Sequence, residues 1–111
     1  MQFSKEIMKG AAEIIVLRTL QSEGESYGYQ LIKAIRATSQ NIFEFQEGTL
    51  YPLLYRLESK GYVTSKIQLA PSGKERRYYT ITNKGLKQLK EVKVELGVFT
   101  KGLNKLFNFS T

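Results

Sequence analysis

The sequence predicts a mainly helical α+β domain, and three observations carry that prediction. Apolar residues recur at helical spacing over residues 4–22 and in two further segments. A strand–turn–strand pattern occupies residues 62–82. A leucine-rich heptad seam then runs over residues 89–106. The length, 111 residues, fits one domain, and 41% apolar residues suffice for a modest core.

The first helix is read over residues 4–22 from Ile7, Ala11, Ile14, Ile15 and Leu17. Ala12, Val16 and Leu20 widen its apolar surface beyond one stripe, so it is expected to pack on two sides. Gly24 and the polar residues around it end it. A second helix is expected to take Ser26 as N-cap and to bury Gly28, Leu31, Ile32 and Ile35. Phe43 and Phe45 alternate with Glu44, which predicts a short strand. The third helix runs from about Gly48 to Lys60 and stops at Gly61. Pro52 lacks an N–H and is expected in the first turn, so the helix should begin between residues 46 and 49. Residues 62–69 form a strand with Val63, Ile67 and Leu69 on one face. Residues 70–74 carry turn chemistry, residues 76–82 return, and Thr82 caps a last helix over 83–107. The predicted order is helix, helix, strand, helix, strand, strand, helix. That is a winged helix-turn-helix domain over residues 1–82, followed over 83–111 by a long C-terminal dimerisation helix.

Composition excludes several functions. With no cysteine and no histidine, disulfides, thiolate zinc sites, Ser-His-Asp triads and Cys-His nucleophiles are ruled out. The helix-spaced carboxylates Glu6 and Glu13, or Glu91 and Glu95, read as solvated helix faces. No enzyme, metal site or cofactor is expected. The first five residues lack the basic-then-apolar order of a signal peptide. The longest apolar run, Ile14-Ile15-Val16-Leu17, falls far below the ~18 residues that cross a bilayer. The expectation is a soluble cytoplasmic protein with no membrane partner. Charge points to a polyanion: residues 1–55 carry net −1 and residues 56–111 net +8, within a total of +7.

In the third helix, Leu50, Leu53, Leu54 and Leu57 share one face and belong to the core. The other side carries Gly48, Pro52, Tyr55 and Ser59, flanked by Thr49, Tyr51 and Arg56. Such groups suit a major groove roughly 12 Å wide. Arg56 is able either to bind guanine in bidentate fashion or to grip a phosphate. The hairpin adds Lys74, Arg76 and Arg77, suited to phosphates or a minor groove, and these are expected to share one surface with Arg56. Tyr79 and Ile81 are assigned to the core.

Three tracts together resemble the PadR family of bacterial transcriptional regulators: Tyr27-Gly28-Tyr29-Gln30-Leu31-Ile32, then Glu47-Gly48-Thr49-Leu50-Tyr51-Pro52-Leu53-Leu54 with Arg56-Leu57-Glu58 and Gly61, and Gly73-Lys74-Glu75-Arg76-Arg77-Tyr78-Tyr79-Thr80-Ile81-Thr82 with Gly85. The resemblance covers about residues 5–85 and is to the short members, which have a single helix after the winged domain. It implies a repressor that binds a palindromic operator in double-stranded DNA as a homodimer. It further implies that Thr49, Tyr51, Tyr55 and Arg56 approach DNA with Lys74, Arg76 and Arg77, and that Tyr27 and Lys33 touch the backbone beside them. Similar short members regulate multidrug pumps and hold flat hydrophobic ligands at the dimer interface by stacking on tryptophan. This chain has no tryptophan, and Leu96 stands about where that aromatic residue is expected.

Leu89, Val92, Leu96, Phe99, Leu103 and Leu106 follow one another at steps of three and four residues, an a/d seam whose natural partner is a second copy. The N-terminal helix of one copy is expected to pack against this helix of the other. Ile15, Leu96 and Phe99 line either a packed interface or an apolar cleft for a small hydrophobic effector. Gly97 and Gly102, within the same helix, permit close approach, a bend or fraying. The competing function is a winged-helix module for protein assembly that binds no operator, since the fold alone supports both.

Overall fold

The structure, a computed structural model, describes residues 3–109; the expected outer limits at residues 1 and 111 lie outside them. Its elements run α1 (Lys5–Glu23), β1 (Ser26–Tyr27), α2 (Gly28–Thr38), α3 (Glu47–Ser59), β2 (Val63–Leu69), β3 (Glu75–Ile81) and α4 (Asn83–Phe107). The strands form one antiparallel sheet in the order β1-β3-β2.

Local signals explain most helix ends. Ser4 Oγ accepts from the Ile7 N–H at 3.3 Å and starts α1, and the Gly24 N–H donates to Leu20 O at its end. At the end of α3, Gly61 takes φ +81°, the Tyr62 N–H donates to Leu57 O and the Gly61 N–H to Glu58 O. This is a Schellman closure. Thr82 Oγ1 accepts from the Gly85 N–H and donates to Gly61 O, so one hydroxyl both caps α4 and ties it to the end of α3.

One core joins all the helices. Val16, Leu17 and Leu20 of α1 meet Leu31, Ile32 and Ile35 of α2, the four leucines of α3, and Val63 and Tyr79 of the sheet. Leu89 of α4 is only 4% exposed and belongs to the same core, so the winged domain and the start of the last helix share one interior. Ile7, expected on the apolar stripe, is exposed near the start of α1.

Three local expectations are corrected. Ser26 does not cap α2. It is buried in β1 opposite Tyr79, and Tyr27 is the N-cap, its N–H donating to Gln30 Oε1 at 3.1 Å. No strand forms at Phe43 and Phe45. Gln40 and Asn41 turn the chain at φ +53° and +67°, and the residues that follow find no ladder partner, although Phe45 is buried. Pro52 lies in the second turn of α3, not the first, although the helix begins within the expected range at Glu47. Pro52 offers no N–H to the Gly48 carbonyl, and Gly48 faces solvent. Ile67 and Leu69 share a face with buried Val63 yet are 56% and 69% exposed, because the hairpin projects beyond the core.

Candidate nucleic-acid interface

The four buried leucines of α3 fix which side of that helix faces outward. Thr49, Tyr51, Tyr55 and Arg56 all lie on the exposed side, Tyr55 at 73% exposure. Tyr51 is less free than its neighbours. Its ring leans on the first residue of α2, so closely that a Cβ built on Gly28 would lie 2.8 Å from Tyr51 Cε1 and Oη. The absence of a side chain at Gly28 thus makes a seat for Tyr51. Composition offered no sign of it, since the two residues are 23 positions apart.

Tyr27 sits where β1 passes into α2. Its ring packs edge-on against Tyr78 at 5.3 Å between centroids, and the Arg76 guanidinium lies over its face at 5.6 Å. Lys33, one turn into α2, is exposed with its ammonium 5.4 Å from the Tyr29 ring. Cations are thereby placed over aromatic faces at the N-terminal end of α2.

The wing is a two-stranded ribbon closed by a Gly73 N–H bond to Ala70 O, with Gly73 at φ +87° and Lys74 beside the turn. Its basic residues do not share one surface, contrary to expectation. Consecutive strand residues point to opposite faces, and the ladder pairs Gln68 with Arg76 and Ile67 with Arg77. Arg76 therefore lies on the face of Tyr27 and Tyr78. Arg77 lies on the face of Val63, Ser65 and Tyr79, toward α3. There Arg77 Nη1 donates to Ser65 Oγ at 3.1 Å, and Ser65 donates to the Glu58 carboxylate of α3. On the opposite face Glu25 accepts from Gln68 Nε2 at 2.8 Å and pairs with Lys66 at 3.4 Å. The Gln68 hydrogen bond, helped by Lys66, holds the Glu25 carboxyl below the usual carboxylate range.

Beyond Leu89, α4 runs on past the core and is progressively less covered by the domain. Val92 is half-buried, whereas Leu96, Phe99 and Leu106 are exposed, Leu106 at 81%, and Leu103 is half-buried. Val94, Val98, Phe107 and Phe109 are exposed too, so the uncovered apolar surface is wider than the seam expected from spacing. Among the described residues, nothing beyond the adjoining residues and the helix's own backbone comes within 4 Å of a Cβ built at Gly97 or Gly102. A groove of about 660 Å³ runs between α1, the end of α2 and α4. Ile15 and Leu96 line it together with Ile35, Phe43 and Leu86. Phe99, expected beside them, is not part of its wall; three residues further along, it sits about 4.5 Å up the helix axis. No described helix is long and apolar enough to cross a membrane.

A bundle whose third helix presents an exposed polar-aromatic side, with a projecting β-ribbon beside it, is a winged helix-turn-helix domain. Residues 16–91 match the model of the transcriptional regulator PadR-like family, and the chain belongs to that family. A transcriptional regulator from Clostridium thermocellum has the same architecture, with a TM-score of 0.81 at 34% identity over 96% of this chain and 99% of that one. A PadR-like transcriptional regulator from Bacillus cereus gives a TM-score of 0.78 at 32% identity, covering 92% of this chain and 96% of that one. An uncharacterised protein from Lysinibacillus sphaericus is 32% identical over an alignment 105 positions long that covers 88% of this chain and 95% of that protein. The family and these solved structures are regulators of transcription, not enzymes.

Proposed function

We propose that this regulator is a repressor that binds a palindromic operator in double-stranded DNA as a cytoplasmic homodimer. The observation that carries the proposal is the α3–wing face. One helix side is committed to the core by four leucines, and the other presents Thr49, Tyr51, Tyr55 and Arg56 next to a projecting ribbon bearing Lys74, Arg76 and Arg77. A major groove accepts such a helix, and phosphates on either side of it suit the ribbon and the cations of Tyr27's neighbourhood, Lys33 included. The net charge of +7 per chain favours the encounter.

A second copy is the occupant that fits the distal half of α4. Leu96, Phe99, Leu103 and Leu106 continue the seam beyond the point where the chain's own core stops covering it; Leu89 is consumed by that core and Val92 lies at its edge. Pairing there would place two reading helices on one duplex, which a palindrome requires. The groove bordered by Ile15 and Leu96 opens beside this seam and suits a small hydrophobic effector that releases the operator.

Two measurements test the proposal. Binding to a duplex from the region upstream of the gene should exceed binding to random duplex and fall steeply with salt, and neutralising Lys74, Arg76 and Arg77 should flatten that slope by about 0.9 per lost phosphate contact. Equal affinity for the two duplexes would refute operator recognition. Leu96→Asp with Phe99→Asp should sediment as a monomer; an unchanged dimer would refute the seam.

A further inference from the structure

The reading helix and the wing are joined through three side chains that no tract in the sequence groups together. Glu58 lies in the last turn of α3 on the stripe of Tyr51 and Tyr55, at i, i+4 and i+7. Its two carboxylate oxygens lie 3.0 and 2.8 Å from Ser65 Oγ, which donates to them. Ser65 Oγ accepts in turn from Arg77 Nη1 at 3.1 Å. The ladder makes this possible. Ser65 pairs with Tyr79, so Arg77 reaches it diagonally along the same face, a span within range of a long side chain. Tyr79 stands in the same cluster. Burial pushes its phenol up, the Arg77 charge opposes that, and Glu58 and Tyr51 reinforce it.

We propose that Glu58 and Ser65 are positioning residues for DNA binding, holding Arg77, and with it the wing, at a set offset from the reading helix. A guanidinium has five N–H donors, and the bond to Ser65 uses one, leaving others for a phosphate. Held this way, Arg77 meets the duplex already ordered, and less of its rotamer freedom is lost on binding. The inference rests on the α3–wing face being the DNA surface, but its sign separates it from simple electrostatics. As a bare negative charge beside a polyanion, Glu58 would oppose binding and its removal would strengthen it. As a positioning group its removal weakens binding.

The test uses the full chain with Ser65→Ala, Ser65→Thr, Glu58→Ala and Arg77→Ala, and a duplex from the region upstream of its gene. Ser65→Ala changes no charge. It should weaken binding about fivefold, the size of one ordinary net hydrogen bond, with the salt slope unchanged. Arg77→Ala should lower both the affinity and the slope, and Ser65→Ala should add nothing in its background. Ser65→Thr keeps a hydroxyl and should bind as the wild type does. Unchanged affinity in Ser65→Ala, an effect that persists without Arg77, or tighter binding by Glu58→Ala would overturn the proposal. Amide exchange measured without DNA supplies an independent arm: residues 63–81 should exchange faster in Ser65→Ala than in Ser65→Thr, and equal rates would also overturn it. If the exchange difference is present but even the wild type binds no duplex, the link to the wing stands and the DNA function falls.

Discussion

Replacing Gly28 by alanine should impair DNA binding while leaving the fold nearly as stable. The added Cβ would lie 2.8 Å from Tyr51 Cε1 and Oη and 3.0 Å from Cζ. Comfortable carbon contacts need about 3.5–4.0 Å, so the tip of the ring must retreat by roughly 1 Å. The colliding atoms are the outer end of an exposed side chain, so the ring yields and the backbone does not. Two stability effects then oppose each other. Alanine gains up to about 1 kcal/mol over glycine in a helix, less in its first turn, and the steric shift costs about 1–3 kcal/mol. The balance runs from about zero to a loss of about 3 kcal/mol, and the exposed ring, which is able to move, keeps it near the low end. A displaced Tyr51 no longer meets the duplex as the seated ring does, which should reduce affinity about tenfold, or ~1.4 kcal/mol. Thermal melting and fluorescence anisotropy with the upstream duplex measure the two effects separately. Tyr51→Ala should lose a similar affinity, and Gly28→Ala should add little to it. Wild-type affinity in Gly28→Ala would refute the role of the seat, and global unfolding would show that the contact is structural.

Other perturbations probe the scaffold. Leu54→Ala empties a site with no solvent exposure and should cost about 3–5 kcal/mol in denaturant unfolding; a cost under about 1 kcal/mol would mean that the core repacks freely. Gly85→Ala drives a Cβ into the Tyr62 carbonyl and to 2.8 Å from Ile81 Cγ1, so it should loosen α4 from the sheet and lower stability by about 2 kcal/mol or more, visible as faster amide exchange at the start of α4. Glu25 has a folded-state pKa held below the unfolded value of about 4.3, so its contribution is present above that value and is lost as pH falls through the folded pKa. Melting temperatures of wild type and Glu25→Gln should therefore differ near pH 6 and converge toward pH 3; a gap that widens in acid would reverse the assignment.

The features legible in the sequence were the local ones. Helical spacing located α1, α2, α3 and α4 to within two residues or so, because a helix bonds to itself and its apolar stripe is a property of one segment. Gly61 and Thr82 marked ends for the same reason: a left-handed turn and a capping hydroxyl act within a few residues. The division of α3 into Leu50, Leu53, Leu54 and Leu57 inside and Thr49, Tyr51, Tyr55 and Arg56 outside followed from helix geometry alone. The opposite placement of Arg76 and Arg77 was also open to a strict count of strand parity, and so was the inward parity of Ser65, a polar residue in step with Val63.

What only the tertiary structure decided involves partners distant in the chain. A strand exists where a neighbour offers a ladder. Ser26–Tyr27 therefore became β1 against Tyr78 and Tyr79, while the better-patterned Phe43 and Phe45 found no neighbour and stayed irregular. How far the core extends under the ribbon decided that Val63 is covered while Ile67 and Leu69 are not, although all three share a face. The same holds for α4, whose seam looks uniform in sequence but is divided into a buried Leu89, half-buried Val92 and Leu103, and exposed Leu96, Phe99 and Leu106. Tyr51 on Gly28, and Glu58 through Ser65 to Arg77, are contacts between elements, and periodicity within one segment carries no information about which surface the next will bring to it.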